Sequence, residues 1–404
     1  TNAGASENYG KALLMVVMVC NAGSTSLKFK VYHMPSEKVL AQGGVERVGS
    51  LDDAVFKYVN RLNGHSSESR NACIPDYKAG IRLFLDRLTG KDNGVLSSVS
   101  EISRVGYKTV ISRSCFGVSE LTEEVIQGMR DWYVLAPVHS QAYLQSIEAM
   151  KSVLPDVKMI GVFETAFHKD IPLERKLYGV PYEWYERYGI QRLGFHGASH
   201  GYIAQCLSAE KPAYKAISCH LGGSGSICAI LDGKSVNTSF GMSLETGLVH
   251  ANRVGDLDGT LVYYLEQEGL SRREILDGLQ SNGGMKGLSG VSGDLRYVEE
   301  AAKNGDRRAQ LTLDVYVNGI VHYIGSFFLD LEGLDYLVFT AGIGEHSANV
   351  RRAVCDKLGP IGIRLDQGRN KENHSTISAD DSKVIVKVIP TDEELVVARS
   401  TYRY

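Results

Sequence analysis

A chain of 404 residues exceeds what one ordinary hydrophobic core organises and predicts two domains. Hydrophobic residues at 43% and charged residues at 23% are a globular composition, and a net charge of -3 excludes a general electrostatic attraction to nucleic acid or acidic membranes. The seven cysteines are scattered without a C-x-x-C pair, several inside apolar runs, which fits reduced thiols in a cytosolic protein, and no apolar stretch approaches the roughly 20 residues that span a bilayer.

Residues 1–14 are small and polar and lack the basic start and cleavage pattern of a secretory signal. With Met15 directly ahead of the first strand, they read as an added extension or tag. An apolar run, Val16-Val17-Met18-Val19-Cys20, then breaks into Asn21-Ala22-Gly23-Ser24-Thr25-Ser26 and resumes as a strand in which Leu27, Phe29 and Val31 alternate with Lys28 and Lys30. Glycine lets the backbone approach an anion, hydroxyls donate to it and Lys28 adds charge, so the pattern predicts a phosphate-holding β-hairpin. A plain surface turn is the competing reading.

Residues 36 to about 100 predict hairpins and a helix, with a loose polar stretch at residues 63–67. Near Ala216 the opening pattern recurs: Ile217-Ser218-Cys219-His220, then Leu221-Gly222-Gly223-Ser224-Gly225-Ser226, then a second strand and an Asp232-Gly233 two-residue turn. The repeat suggests two related halves. The run Gly233-Lys234-Ser235 resembles the end of a P-loop, but Cys228 stands where the leading glycine belongs, which leaves turn residues. His196 and His200 have the spacing of a zinc pair, yet Gly197 occupies the place of the glutamate that a hydrolytic zinc motif needs, which favours a loop presenting side chains to a ligand. Arg253 by itself suggests a solvated loop arginine. A third glycine turn, Ala341-Gly342-Ile343-Gly344-Glu345-His346-Ser347, follows the strand 336–340 and precedes a helix carrying Val350, Val354 and Leu358 on one face. Last come a strand at residues 384–389 and Thr391-Asp392-Glu393-Glu394, read as a capping box opening the final helix. Alternating strands and helices throughout predict an α/β protein.

Taken in order, these elements resemble the acetate and propionate kinase family from about Met15 to Arg399. The most specific matches are Asn21 to Lys28, Gly194-Phe195-His196-Gly197-Ala198-Ser199-His200, Phe339 to Glu345 and Pro390 to Leu395, supported by Leu135-Ala136-Pro137-Val138-His139, Val162 to His168 and Ser289 to Arg296. The resemblance implies two duplicated actin-like, ribonuclease H-like α/β domains with ATP in the cleft between them. Residues 15–163, completed by a C-terminal helix at 391–404, would form one, and residues 164–390 the other, with the nucleotide site and a dimer surface. It further implies a cytoplasmic homodimer acting on a small carboxylate and a nucleotide, without nucleic acid or membrane partners.

Carried over by position, Asn21 and Glu393 would hold Mg2+, with Mn2+ as an alternative. Ser24, Ser26 and Lys28 would lie on the phosphate side of ATP/ADP. His220, Leu221, Gly222, Gly223 and Ser224, then Asp294, Leu295 and Arg296, then Gly342, Ile343, Gly344, Glu345 and His346 would surround the nucleotide. His196 and Arg253 match the pair that stabilises the transferring phosphoryl group, with Glu164 nearby as a catalytic acid. Lys108 would hold the substrate carboxylate, and Val110, Val138, Phe195 and Leu244 would line its methyl pocket.

Departures from the family pattern fall in these same segments. Its substrate-holding arginine is Lys108, with Arg113 as a candidate replacement; the acid of its Phe-Asp-Thr motif is Glu164; Gly223 and His346 stand for asparagines, and Leu244 for a proline. They keep a second expectation open beside an active kinase: a catalytically weakened nucleotide-binding relative with a redirected or regulatory role. The intact Gly342-Ile343-Gly344-Glu345 run disfavours pyrophosphate as the donor.

Overall fold

The computed structural model describes residues 13–404, so all but the last two residues of the segment read as an extension lie outside the described residues. The chain divides into two compact units. Unit 1 comprises residues 13–163 with the returning segment Glu394–Tyr404, and unit 2 is Glu164–Glu393.

Unit 1 opens with five strands in antiparallel succession: β1 (Met15–Gly23), β2 (Ser26–Met34), β3 (Lys38–Glu46), β4 (Ser50–Asn60) and β5 (Ser66–Ile74). Strand β5 starts at Ser66, so the polar stretch expected as a loop is a shorter turn. After α1 (Tyr77–Leu88) the chain forms β6 (Ile102–Thr109), β7 (Val118–Glu120), α2 (Glu123–Asp131), α3 (Pro137–Val153) and β8 (Lys158–Phe163). Strand β6 pairs in parallel with both β1 and β8, giving the order β5-β4-β3-β2-β1-β6-β8-β7. The alternation in β2 is realised: Leu27, Phe29 and Val31 are buried and Lys28 is exposed. Phe29 stacks on Phe84 of α1 at 4.4 Å between ring centroids.

Unit 2 runs through α4 (Tyr182–Tyr188), α5 (Gly197–Glu210), β9 (Lys215–Leu221), β10 (Gly225–Leu231) and β11 (Lys234–Thr238). Five helices follow: α6 (Thr260–Gln267), α7 (Arg272–Gln280), α8 (Gly284–Ser289), α9 (Leu295–Lys303) and α10 (Arg307–Asp330). The remainder is β12 (Tyr336–Thr340), α11 (Ala341–His346), α12 (Ala348–Asp356), α13 (Gln367–Lys371) and β13 (Ile385–Val388). The β10–β11 turn is Asp232-Gly233, both at positive φ (49° and 82°), as a primed hairpin turn requires. Its sheet, β11-β10-β9-β12-β13, repeats the central order β3-β2-β1-β6-β8 of unit 1, with two antiparallel ladders and then two parallel ones. The duplication suggested by one short repeat therefore extends to whole-sheet topology.

Period-two alternation assigns each face of the second sheet. Ile217, Cys219, Leu221, Ile227 and Ala229 pack towards a core with Tyr316, Ile320 and Ile324 of α10. Ala216, Cys228 and Ile230 pack with Ile203, Ala204 and Leu207 of α5. Ser218, His220 and Ser226 belong by register to this second face. Burial pushes the Cys20 and Cys228 thiols up to about 12, which leaves them inert, whereas Cys73 is exposed.

The last helix, α14 (Glu393–Arg403), returns to unit 1 and buries Val397 and Ala398 against Met15, Val17, Val19 and Val162. A Cβ on Gly106 of β6 would collide with Thr401 Oγ1 and meet Val397, so only glycine lets this helix sit so close to the strand. Arg399 forks onto Glu37 (Nε–Oε1 2.6 Å, Nη2–Oε2 2.8 Å), and Arg104 caps the helix end through the Thr401 carbonyl.

Candidate active site

In unit 2 a cavity of about 990 Å³ opens where several chain turns meet. The β9–β10 turn supplies Gly222 and Gly223, α9 supplies Asp294 to Arg296, and α11 supplies Gly342, Ile343 and His346. A Cβ placed on Gly223 or Gly342 would meet nothing within 4 Å, so both glycines present bare backbone to open space. The segment Ala251-Asn252 ties the rim together. Ala251 N–H donates to the Gly223 carbonyl at 2.8 Å, and Gly293 leaves room for the Asn252 side chain. Volume and lining suit a nucleotide.

Part of the expected nucleotide segment stands behind the cavity wall. The Gly-x-Gly segment is a short helix, not a turn, because its C-terminal carbonyls are pinned from outside. Fully buried Arg351 donates to the carbonyls of Gly344 and Glu345 at 2.9 Å and to Asn370. Glu345 does not line the cavity: its carboxylate accepts from the backbone N–H groups of Ala341 and Thr391, both at 3.1 Å. Gly344 and Leu221 are buried backbone supports, and Leu358 lies beyond the end of α12. Arg296 is engaged on Asp294, which caps α9. Thr391 is not a helix cap: α14 begins at Glu393, the Thr391 hydroxyl makes no hydrogen bond, and Glu394 instead faces Lys30 at 3.7 Å. Asn252, Ser292, Glu299 and Ser347 also line the cavity, although sequence reading assigns none of them a role there.

Beside this cavity the structure sets His196 and His250 against Phe240, with His220 stacked on His196. His196 sits at the N-terminus of α5 with φ 55°, a left-handed conformation that costs a β-carbon-bearing residue energy and needs support. Support comes from its ring: Nδ1 lies 2.8 Å from Ser226 Oγ, the ring stacks on His220 at 3.9 Å, and it meets Phe240 edge-on at 5.2 Å. Phe195 packs edge-to-face on the same Phe240, and its carbonyl accepts from His168 Nε2 at 2.8 Å. The Gly197 N–H donates to the Glu164 carbonyl at 2.9 Å, so buried Glu164 braces the start of α5 through its backbone. His200, one turn on, contacts Ser218 and Ser226 with its two ring nitrogens, so serine hydroxyls occupy the positions a zinc ion would need.

On the other side of Phe240, His250 stacks at 5.3 Å, donates through Nε2 to the Thr246 carbonyl and accepts at Nδ1 from Gly225 N–H. Burial holds His250 down at about 3 and His168 at about 4, so both rings are neutral. Arg253 is not a solvated loop arginine. Its Nε donates to the Leu244 carbonyl (3.0 Å) and its Nη2 to Ser224 Oγ (2.7 Å). Burial lowers its pKa, with nearby Glu245 opposing. Both hydrogen-bond partners are neutral, so the guanidinium stays positioned without a carboxylate hydrogen-bonded to it among the described residues.

In unit 1 the β1–β2 turn is Ser24-Thr25, with Gly23 paired to Ser26. Tyr77 OH donates to the carbonyls of Gly23 (2.6 Å) and Ser24 (3.2 Å), fixing the tip. Asn21 Oδ1 accepts from Tyr143 OH at 3.2 Å. Ser26 and Lys28 line a cavity of about 410 Å³ with Lys30, Lys57 and Glu394. Lys108 is the penultimate residue of β6, Val110 just beyond is buried, and Val138 on the first turn of α3 is 62% exposed.

The duplicated sheets and the glycine-lined cavity beside the histidine and arginine cluster define a two-domain phosphotransferase of the actin-like ATPase type. The crystal structure of acetate kinase from Porphyromonas gingivalis superposes with a TM-score of 0.84 at 35% identity, over 96% of this chain and 99% of that one. A propionate kinase from Francisella tularensis gives a TM-score of 0.87 at 28% identity, over 96% and 99%. Acetate kinases of Phocaeicola vulgatus (40% identical, 96% of this chain and 98% of theirs) and Acetivibrio thermocellus (41%, 96% and 99%) are similar along almost their full length. The model of the acetokinase family matches residues 16–399. The chain belongs to the acetokinase family, and with it to the phosphotransferases that use a carboxyl group as acceptor. The reading as a weakened, regulatory relative finds no support among these relatives.

Proposed function

We propose that this enzyme transfers the γ-phosphoryl group of ATP reversibly to acetate or propionate, giving an acyl phosphate and ADP. The observation that carries this is the cluster beside the glycine-lined cavity in which His196 and His250 meet Phe240 and Arg253 joins through Ser224. A short carboxylic acid, like the side chains of Asp and Glu, is ionised at neutral pH and needs no general base. Its oxygen bonds to the γ-phosphorus as the bond from phosphorus to the bridging oxygen breaks, and ADP leaves with that electron pair. The difficulty is bringing two anions together, so the work is donor placement. His196 donates from Nε2, the nitrogen facing away from Ser226, and Arg253 supplies a charge already desolvated and aimed.

The nucleotide is proposed to lie along Gly222, Gly223, Asp294 to Arg296, Gly342, Ile343 and His346, with His220 and Ser224 at its phosphate end and Ser24, Ser26 and Lys28 as further phosphate donors. Lys108 is the proposed point charge for the substrate carboxylate, Val110, Val138, Phe195 and Leu244 the apolar contacts for its methyl end, and Glu164 the acid at the transfer site. For the metal, the amide oxygen of Asn21 and the carboxylate of Glu393 are the proposed ligands, hard oxygen donors of the kind that would suit Mg2+, and Mn2+ less selectively. Such an ion would neutralise charge on the phosphate oxygens. A cytoplasmic homodimer is proposed as the working form. Helix α6 buries none of its residues within the chain and leaves Tyr263 69% exposed, and no helix among the described residues is long and apolar enough to cross a membrane. Light scattering tests the dimer. Trapping acyl phosphate as hydroxamate, with acetate, propionate and butyrate against ATP and pyrophosphate, tests the reaction. An ATP-dependent signal is expected, and its absence with every acid would overturn the reading.

A further inference from the structure

Four hydrogen-bonding groups form an unbroken line through the α5-facing side of the second sheet: Ser218 Oγ, the His200 ring, Ser226 Oγ and the His196 ring. The separations are 2.9 Å from Ser218 Oγ to His200 Nδ1, 2.8 Å from His200 Nε2 to Ser226 Oγ and 2.8 Å from Ser226 Oγ to His196 Nδ1. Ser218, His200 and Ser226 are fully buried. The line exists because the four-residue spacing of His196 and His200 on α5 sets both rings over Ser226, while register places Ser218 on the same face of the neighbouring strand.

Counting hydrogens gives this line a direction. A hydroxyl has one proton to donate, and a neutral imidazole has one N–H. Burial and the neighbouring histidines His168 and His220 hold His200 well below its usual pKa, so its ring is neutral. Suppose Ser226 donated to His200 Nε2. The single His200 proton would then sit on Nδ1 and point at Ser218 Oγ, and the buried Ser218 hydroxyl would have no acceptor, a costly arrangement. In the opposite direction every donor is used. Ser218 O–H donates to His200 Nδ1, His200 Nε2–H donates to Ser226 Oγ, and Ser226 O–H donates to His196 Nδ1. His196 Nδ1 is then an acceptor, and the neutral ring carries its proton on Nε2.

From this we infer that Ser218, His200 and Ser226 are positioning residues that hold His196 in the Nε2–H tautomer, with its proton on the nitrogen away from Ser226. None of the three needs to touch substrate, and Ser218 acts from the far end of the line. The inference rests on the proposed role of His196 in phosphoryl transfer, but the tautomer itself is measurable without turnover.

The experiment uses full-length protein with 15N-labelled histidine at pH 7, in the presence of ADP, with His196→Gln identifying the His196 signals. Expected in the unsubstituted protein is an unprotonated Nδ1 and a protonated Nε2 on His196. In Ser218→Ala, His200 loses the donor that fixes its tautomer, so the His196 signals should shift towards a tautomer mixture. Turnover should fall several-fold, with the KM values for carboxylate and ATP within about twofold. A proton on His196 Nδ1 in the unsubstituted protein overturns the inference, as do His196 signals in Ser218→Ala identical to those of the parent. Since the first measurement is made on the unsubstituted protein, with His196→Gln only assigning its signals, it decides even if Ser218→Ala fails to fold. If the tautomer is as expected but His196→Gln leaves turnover intact, the proposed role of His196 fails and the line stands.

Discussion

Arg253 is held by the Leu244 carbonyl and the Ser224 hydroxyl, both neutral, and His196 meets the Ser226 hydroxyl through Nδ1. Groups of this kind act on charge that develops only during transfer, and their loss should appear in turnover more than in binding. Arg253→Ala is expected to lower kcat about 10³-fold, by analogy with an arginine finger. His196→Ala should lower it about 10²-fold, as for loss of one preorganised donor. Calorimetry should find ADP affinity nearly unchanged in both, and near-normal kcat in both would move transition-state stabilisation elsewhere. Lys108 poses a different question. An ammonium neutralises a carboxylate as a point charge, whereas a guanidinium would fix both oxygens. Lys108→Arg should therefore lower the acetate KM, while Lys108→Ala should abolish saturation. A mild Lys108→Ala with a severe Arg113→Ala would transfer the role to Arg113. His196 and Arg253 could be singled out from sequence because they sit in ordered motifs. Phe240 and His250 could not. Their neighbours along the chain carry no pattern, and their importance comes only from the ring stacking that joins the two clusters.

At the scale of elements, α11 shows where local reading fails. Two glycines in six residues disfavour a helix, so the sequence predicts a turn. The helix persists because Glu345 secures its first N–H and buried Arg351 secures its last carbonyls. Arg351 lies in the next helix, and its partner Asn370 is farther along the chain, so no short window could show the arrangement. Arg351→Met should leave those carbonyls without donors in a dry site, costing on the order of 3 kcal/mol of stability for hydrogen bonds to a charged group. It should also weaken ATP binding about tenfold at a temperature where the variant is still folded. Thermal unfolding with and without ATP measures both, and unchanged nucleotide affinity would mean that α11 needs no such pin. The misread cap at Thr391 has the same origin, since its backbone N–H is already committed to Glu345. Strands β2, β9 and β10 were legible because alternation is a local signal that the sheet faces preserve.

On the scale of the whole molecule, three buried neutral histidines (His168, His200 and His250) lie in unit 2. Their folded pKa values are depressed below the unfolded value of ~6.5. Above that value neither state binds the extra proton and stability is full. As pH falls, the unfolded chain takes up protons that the folded one refuses, and stability drops by about 1.4 kcal/mol per pH unit for each histidine. For His168 the loss continues down to about 4. Urea midpoints should be level above about pH 7.5 and fall steeply from about 6.5 downwards. A flat profile to pH 5 would show that these rings already carry protons in the folded state. The duplication was only hinted at by a short hairpin repeat. Sheet order is set by long-range pairing, which sequence spacing alone does not encode.

The return of α14 to unit 1 also bears on how the protein is made. Unit 2 is one uninterrupted stretch of chain, whereas the groove over Gly106, Met15 and Val17 is filled by a helix that is translated only after the whole of unit 2. During synthesis the second-born unit has all its parts while the first-born still waits for Val397, Ala398 and Thr401. A nascent chain therefore carries an uncovered apolar strip on β1 and β8 until α14 has emerged. A stop codon placed ahead of Val397 would leave that strip exposed for good, even though the glycine-lined cavity and its histidines had been fully encoded.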